Sequence, residues 1–240
     1  MQIIGADLTA PRFPLIRADA DPSAPIVATD LEGTLTAGVT VLGIHRYLEA
    51  HGRAAISKAI TRRRMGGFIF RKLLRFDLRE YKNDWMREVT RLFAGEPLGR
   101  VRDLADWVVE NVTWKDRRAA VLTELEAHLA AGRRVIVVTG VFDLLLESLV
   151  ERLPGMEAIG TAVIGHGEPF SGELAEFNIG RRKVENLKRL AGESGRLHGA
   201  YGDTYSDLSM LSIADHPVAV HPDRKLRAAA EISGWRILTD

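Results

Sequence analysis

The sequence predicts an α/β protein with a Rossmann-like parallel sheet core and an inserted, mostly α-helical cap. Two observations predict it. Short apolar runs alternate with helical stretches through the second half of the chain, the pattern of a parallel sheet. One further apolar run, residues 25–31, stands alone near the start, separated from the next by about 95 residues that read as helix. A block of that length is too long for a simple crossover and is read as an insertion.

Taken in order, residues 1–24 are broken by Pro11, Pro14 and Pro22 and form an irregular lead-in. Residues 25–31 are apolar and end in acid, as a buried strand would. From 37 to 131, Arg, Lys, Leu, Ala and Glu dominate, with apolar residues at helical spacing such as Leu104, Trp107, Val108 and Val112. Further strands are expected at 133–139, 158–164, 197–202, 217–220 and 235–238, with helices at 142–152, 180–191, 207–214 and 223–232. The expected division is therefore a core of residues 1–36 and 132–240 with a cap at 37–131.

Composition narrows the function. The 240 residues carry 33 basic and 32 acidic side chains, a net charge of +1, so no overall field marks nucleic acid as the partner. The absence of cysteine excludes disulfides, thiolate metal sites and thiol catalysis. The first residues lack a basic start followed by an apolar run, and no apolar stretch reaches ~18 residues. A soluble cytoplasmic protein is expected, and the sequence leaves its oligomeric state open.

Four segments carry the chemistry: Asp30-Leu31-Glu32-Gly33-Thr34, Val138-Thr139-Gly140, Lys183, and Gly202-Asp203 through Asp207. In an open parallel sheet, functional residues collect at the carboxyl ends of the strands, where Asp30, Thr139 and Asp203 fall. Two carboxylates brought together repel unless a cation neutralises them. Oxygen-only donors, with no histidine or cysteine, favour a hard ion, magnesium first. Such an ion also screens a phosphate approaching an anionic nucleophile. Thr139 and Gly140 are expected to open a helix whose N–H groups hold phosphate oxygens, with Gly33 and Thr34 offering a similar turn. Lys183 supplies further positive charge. Taken singly, each residue has a plainer reading: Asp30 and Thr139 as helix caps, Asp207 as a helix-start acid, and Lys183 as part of a solvated basic run in which Arg182 is the alternative.

These segments resemble the haloacid dehalogenase superfamily, in its phosphoserine-phosphatase-like branch with a helical cap. The family's Asp-x-Asp-Gly-Thr corresponds to residues 30–34, its Ser or Thr after a strand to Thr139, its lysine to Lys183, and its Gly-Asp-x-x-x-Asp to residues 202–207. Asp215-His216-Pro217 and Gly234-Trp235 also look like this branch. The resemblance spans residues 25–240 and implies a magnesium-dependent phosphatase acting on a small phosphomonoester. By it, Asp30 is the nucleophile that becomes an aspartyl phosphate, and Glu32 is the general acid and base. Gly33, Thr34, Thr139, Gly140 and Lys183 bind phosphate. Asp30, the backbone carbonyl of Glu32, and Asp203 hold Mg2+, with Asp207 behind them.

Two departures matter. Glu32 stands where the family usually has Asp, placing its carboxylate one methylene further out. Phosphoserine phosphatases carry a Glu about nine residues after the nucleophile to meet the substrate amine; here that position is Val39. An apolar or neutral leaving group fits better. A phosphotransferase or mutase on the same site, a receiver domain, and a non-catalytic binding protein are the alternatives. Residues 53–82 hold ten basic residues against Asp77 and Glu80. Such a helix either packs with its basic side wet, grips an acidic substrate, or makes weak contact with an anionic membrane surface.

Overall fold

The computed structural model describes residues 15–74, 79–165, 168–192 and 195–239. Six parallel strands form one sheet: β1 (Ile26–Thr29), β2 (Arg134–Phe142), β3 (Glu157–Thr161), β4 (Leu197–Gly202), β5 (Ala214–Val220) and β6 (Arg236–Leu238), in the order β3-β2-β1-β4-β5-β6. This is a doubly wound sheet, with its switch point between β1 and β4. The inserted block holds α1 (Thr40–Ala50), α2 (Ala54–Leu73), α3 (Arg79–Arg91) and α4 (Leu98–Val108). The remaining helices are α5 (Ala119–Ala130), α6 (Asp143–Val150), α7 (Arg181–Leu190), α8 (Leu208–Leu211) and α9 (Arg224–Ser233). Among the described residues, no helix is long and apolar enough to cross a membrane.

Strand alternation decides which layer each side chain joins. Ile26, Ala28, Ile136 and Val138 point to one face and pack with α7, α8 and α9 through Leu187, Met210 and Leu226. Val27, Val135 and Val137 point to the other and belong to a core that runs through α5 and α6 into the inserted helices. Because both faces are covered, the strands read as nearly unbroken apolar runs.

The chain leaves and re-enters the core side by side. Thr36 and Arg117 form an antiparallel bridge, Ala37 N–H donates to Asp116 O, and Arg118 N–H donates to Leu35 O. Beyond this crossing, α5 packs on β2, and its Glu124 accepts from the Tyr201 hydroxyl of β4 and from Arg236 of β6. The last helix of residues 37–131 thus contacts the sheet. Much of the basic run is engaged within the inserted helices: Arg63 and Arg64 pair with Glu88, and the guanidinium of Arg71 lies over the Tyr81 ring.

At the amino end of the sheet, Arg134 of β2 donates twice to Glu157 of β3, at 2.8 and 2.7 Å, with both side chains buried. Removing one partner of a buried pair strands the other charge, which costs about 3–5 kcal/mol. Glu157→Ala is therefore expected to lower the Tm by roughly 10 °C, measured by calorimetry. A fall of only a degree or two would mean that water reaches Arg134.

Candidate active site

Register brings the functional residues together. Thr29 pairs with Val137 on one side and Tyr201 on the other, so Asp30 and Asp203, just past the ends of β1 and β4, come beside Thr139 of β2. Asp30 N–H continues the ladder to Tyr201 O at 2.9 Å.

The chain then turns sharply at Gly33, where φ is +94°. A Cβ there would lie 2.0 Å from Asp203 Oδ2, so glycine is required both by the backbone and by the neighbouring carboxylate. Thr34 is fully buried, and its hydroxyl donates to Asp203 Oδ1 at 3.3 Å. The structure therefore places Thr34 as a support for Asp203. Gly33, Thr139, Gly140 and Lys183 line the cavity described below.

Lys183, in the first turn of α7, reaches into this corner. Its ammonium donates to Asp30 Oδ1 at 2.5 Å and to Asp207 Oδ1 at 2.8 Å. Arg182 instead turns outward to Glu176, so Lys183 is the cation of the cluster. Asp207 is held by a capping box, its Oδ2 accepting from the backbone N–H and hydroxyl of Thr204. Asp30, Asp203 and Asp207 offer carboxylate oxygens all within 4.8 Å of one another.

Three carboxylates against one ammonium leave an excess of buried negative charge, with Asp30 7 %, Lys183 4 % and Asp207 1 % exposed. Burial, reinforced by Asp207 and opposed by Lys183, pushes the Asp30 carboxyl up to about 7. Burial together with repulsion from Asp30 and Asp207 pushes Asp203 up to about 8. For Lys183, burial acts to lower the ammonium's pKa, but Asp207 and Asp30 outweigh it and hold it above its usual value. An all-oxygen donor set with surplus negative charge fits a hard divalent cation such as Mg2+.

Both raised carboxyls hold protons in the folded state that the unfolded chain releases near pH 4. Without a cation, stability is fully present below that pH and is lost as pH rises through about 7 and 8. A cation displaces those protons, so magnesium should bind more tightly as pH rises. Scanning calorimetry at pH 6, 7 and 8 is expected to show a magnesium-induced rise in Tm that grows with pH. An equal rise at all three would contradict this.

Thr139 and Gly140 lie within β2, which continues to Phe142 opposite Thr161 after a register shift; α6 begins only at Asp143. The expected helix start at Thr139 is thus displaced by four residues. Asn178 holds this strand end: its amide donates to Thr139 O at 3.2 Å and Ile159 O at 3.1 Å, and its Oδ1 accepts from Asn186 of α7. Sequence reasoning missed Asn178 because a single polar residue in a loop carries no periodic signal.

Glu32 accepts a short hydrogen bond from Thr40 N–H, the first residue of α1. A carboxylate at a helix N-terminus is favourable, and the longer Glu side chain makes the reach possible. Glu32 therefore joins the acidic corner to the first inserted helix. Above the corner lies a cavity of about 410 Å³ bounded by α1, α2, α3 and the segment before α7. A larger groove of about 920 Å³, between α5 and the β4–β6 half of the sheet, holds two carboxylates, Glu124 and Asp215, already paired with Arg236 and Arg196.

The profile described as haloacid dehalogenase-like hydrolase matches residues 27–212. The chain belongs to this family. Among haloacid dehalogenase-like relatives, it is 28% identical over 242 residues to a phosphoserine phosphatase of Mycobacterium tuberculosis, covering 93% of this chain and 75% of that one. A Bordetella pertussis Tohama I protein with unknown function shares the fold with a TM-score of 0.73 at 19% identity, covering 90% of this chain and 99% of that one. A substrate-bound phosphoserine phosphatase shares it with a TM-score of 0.60 at 19% identity, covering 90% and 93%.

Proposed function

We propose that this hydrolase is a magnesium-dependent phosphatase that acts on a small phosphomonoester through an aspartyl phosphate on Asp30. The observation that carries the reading is the Lys183 ammonium bound between Asp30 and Asp207, with Asp203 alongside, at the sheet's switch point. Asp30 and Asp203, with the Glu32 carbonyl, would hold Mg2+, and Asp207 would fix Lys183 behind them. When bound, the ion screens the charge between nucleophile and phosphate.

Asp30 attacks phosphorus as the ester P–O bond breaks, and Glu32 gives its proton to the departing alkoxide. Glu32 then takes a proton from water, which attacks the aspartyl phosphate, releases inorganic phosphate and restores Asp30. Lys183 steadies negative charge on the transferring group throughout. The Gly33 turn, Thr139 and Gly140 line the phosphate's side of the cavity.

The test is phosphate release from a panel of phosphomonoesters with and without magnesium. Release requiring magnesium is expected. Transfer of the phosphoryl group to an added alcohol in preference to water would favour a phosphotransferase. Magnesium binding without release from any ester would favour a binding role.

A further inference from the structure

The 410 Å³ cavity is divided by chemistry. Its floor holds the acids and Lys183. Its walls are mainly hydrocarbon and thioether: Val39 and Leu42 from the start of α1, Met65 and Phe68 from α2, Met86 from α3, and Phe177 from the loop before α7, with the Asn83 amide of α3 among them. Phe177 is buried and held from behind by the guanidinium of Arg87, 4.7 Å from its ring centroid. Among the described residues lining the cavity, every carboxylate lies at the floor: Asp30, Glu32, Asp203 and Asp207. Each already has its own engagement. Asp30 and Asp207 hold Lys183, Asp203 accepts from Thr34, and Glu32 accepts from Thr40 N–H. The cation above the floor is Lys82, exposed at the rim.

A leaving group that fills this chamber meets mainly apolar wall, with the Asn83 amide as a neutral polar group and Lys82 at the rim. An ammonium on it would give up water with no free carboxylate in reach, which is costly, and a carboxylate would meet only the exposed Lys82 at the rim. An alkyl or aryl group would gain from each methylene buried. Two methionines and an aromatic pair make a wall that adapts to shape.

Resting on the phosphatase reading above, we infer that the substrate is the phosphate monoester of an uncharged, apolar alcohol of modest size, and that Val39 and Met65 help select it. At about 410 Å³ the cavity is at the small end for ligand sites, so it takes a phosphate and a short chain or single ring.

The experiment compares kcat/KM for ethyl, butyl and hexyl phosphate, phenyl phosphate and phosphoserine, with magnesium. Burial of about 0.8 kcal/mol per methylene corresponds to about a fourfold gain per CH2. The expected result is a rise of that order from ethyl to hexyl, and hexyl preferred over phosphoserine by at least about 100-fold. Val39→Glu, at an exposed helix-start position that tolerates acid, should cut the hexyl-to-phosphoserine ratio by at least about 10-fold. Met65→Gln should flatten the chain-length series. A flat or falling series, or a preference for phosphoserine, overturns the inference and leaves the phosphatase intact. If no ester is turned over, the phosphatase reading fails instead. Calorimetric titration of Asp30→Asn protein then decides the chamber: tighter binding of hexyl phosphate than of phosphoserine upholds it, and equal or weaker binding overturns it.

Discussion

Asp30→Asn is expected to reduce phosphate release by at least about 10⁴-fold, the scale seen when a covalent nucleophile is removed. The amide has nearly the carboxylate's shape, so the site keeps its form. Its effect on stability should run the other way. The Asp30 carboxyl, raised to about 7 mainly by burial, weakens the cation-free fold as pH climbs from about 4 through 7. Asparagine removes that titration and the repulsion with Asp203 and Asp207, while Lys183 keeps its 2.8 Å bond to Asp207. In chelator at pH 8 the variant should therefore melt higher than the parent, with a flatter pH dependence. A variant both inactive and markedly less stable would mean that Asp30 holds the fold together and does not act chiefly as nucleophile.

Lys183→Met is expected to damage stability and turnover together. It removes the ammonium from a corner where Asp30, Asp203 and Asp207 converge. Leaving buried charge unpaired costs about 3–5 kcal/mol, and losing a preorganised cation costs turnover by about 10²–10³-fold. The ammonium's raised pKa means this stabilisation is present at every working pH and is lost only in strong alkali. Adding Asp207→Asn to Lys183→Met should recover much of the stability, because one surplus carboxylate disappears with the cation. It should recover none of the activity. Chemical denaturation and kcat measured on both variants separate the two effects; a double variant no more stable than the single would contradict the charge argument.

The sheet and the acidic corner were legible in the sequence because parallel strands buried on both faces leave unbroken apolar runs, and their carboxyl ends mark themselves with Asp30 and Asp203. Where the next elements begin was harder to read. Val141 and Phe142 continue β2 by pairing across a register shift with β3, a long-range contact, so Thr139 looked like a helix start. The apolar stripe of α5 has helical spacing, but periodicity does not say whether a stripe faces inserted helices or a sheet. The basic run likewise does not announce that Arg63 and Arg64 share Glu88, which lies on the following helix. The motif could not show that Thr34 also donates to Asp203, a contact made across 169 residues of sequence. Of the apolar chamber only Val39 was legible, as the residue standing where an acid would meet a substrate amine; Met65 and Met86 join it only once three helices have packed.

The central claim is that Asp30 carries the phosphoryl group. The most direct measurement is rapid acid quenching during turnover of a hydrolysed ester, followed by peptide mass mapping. The account predicts a phosphoryl group on the peptide containing Asp30, formed only with magnesium and absent in Asp30→Asn. Turnover with no such adduct at any quench time, or with the adduct on another residue, would contradict it.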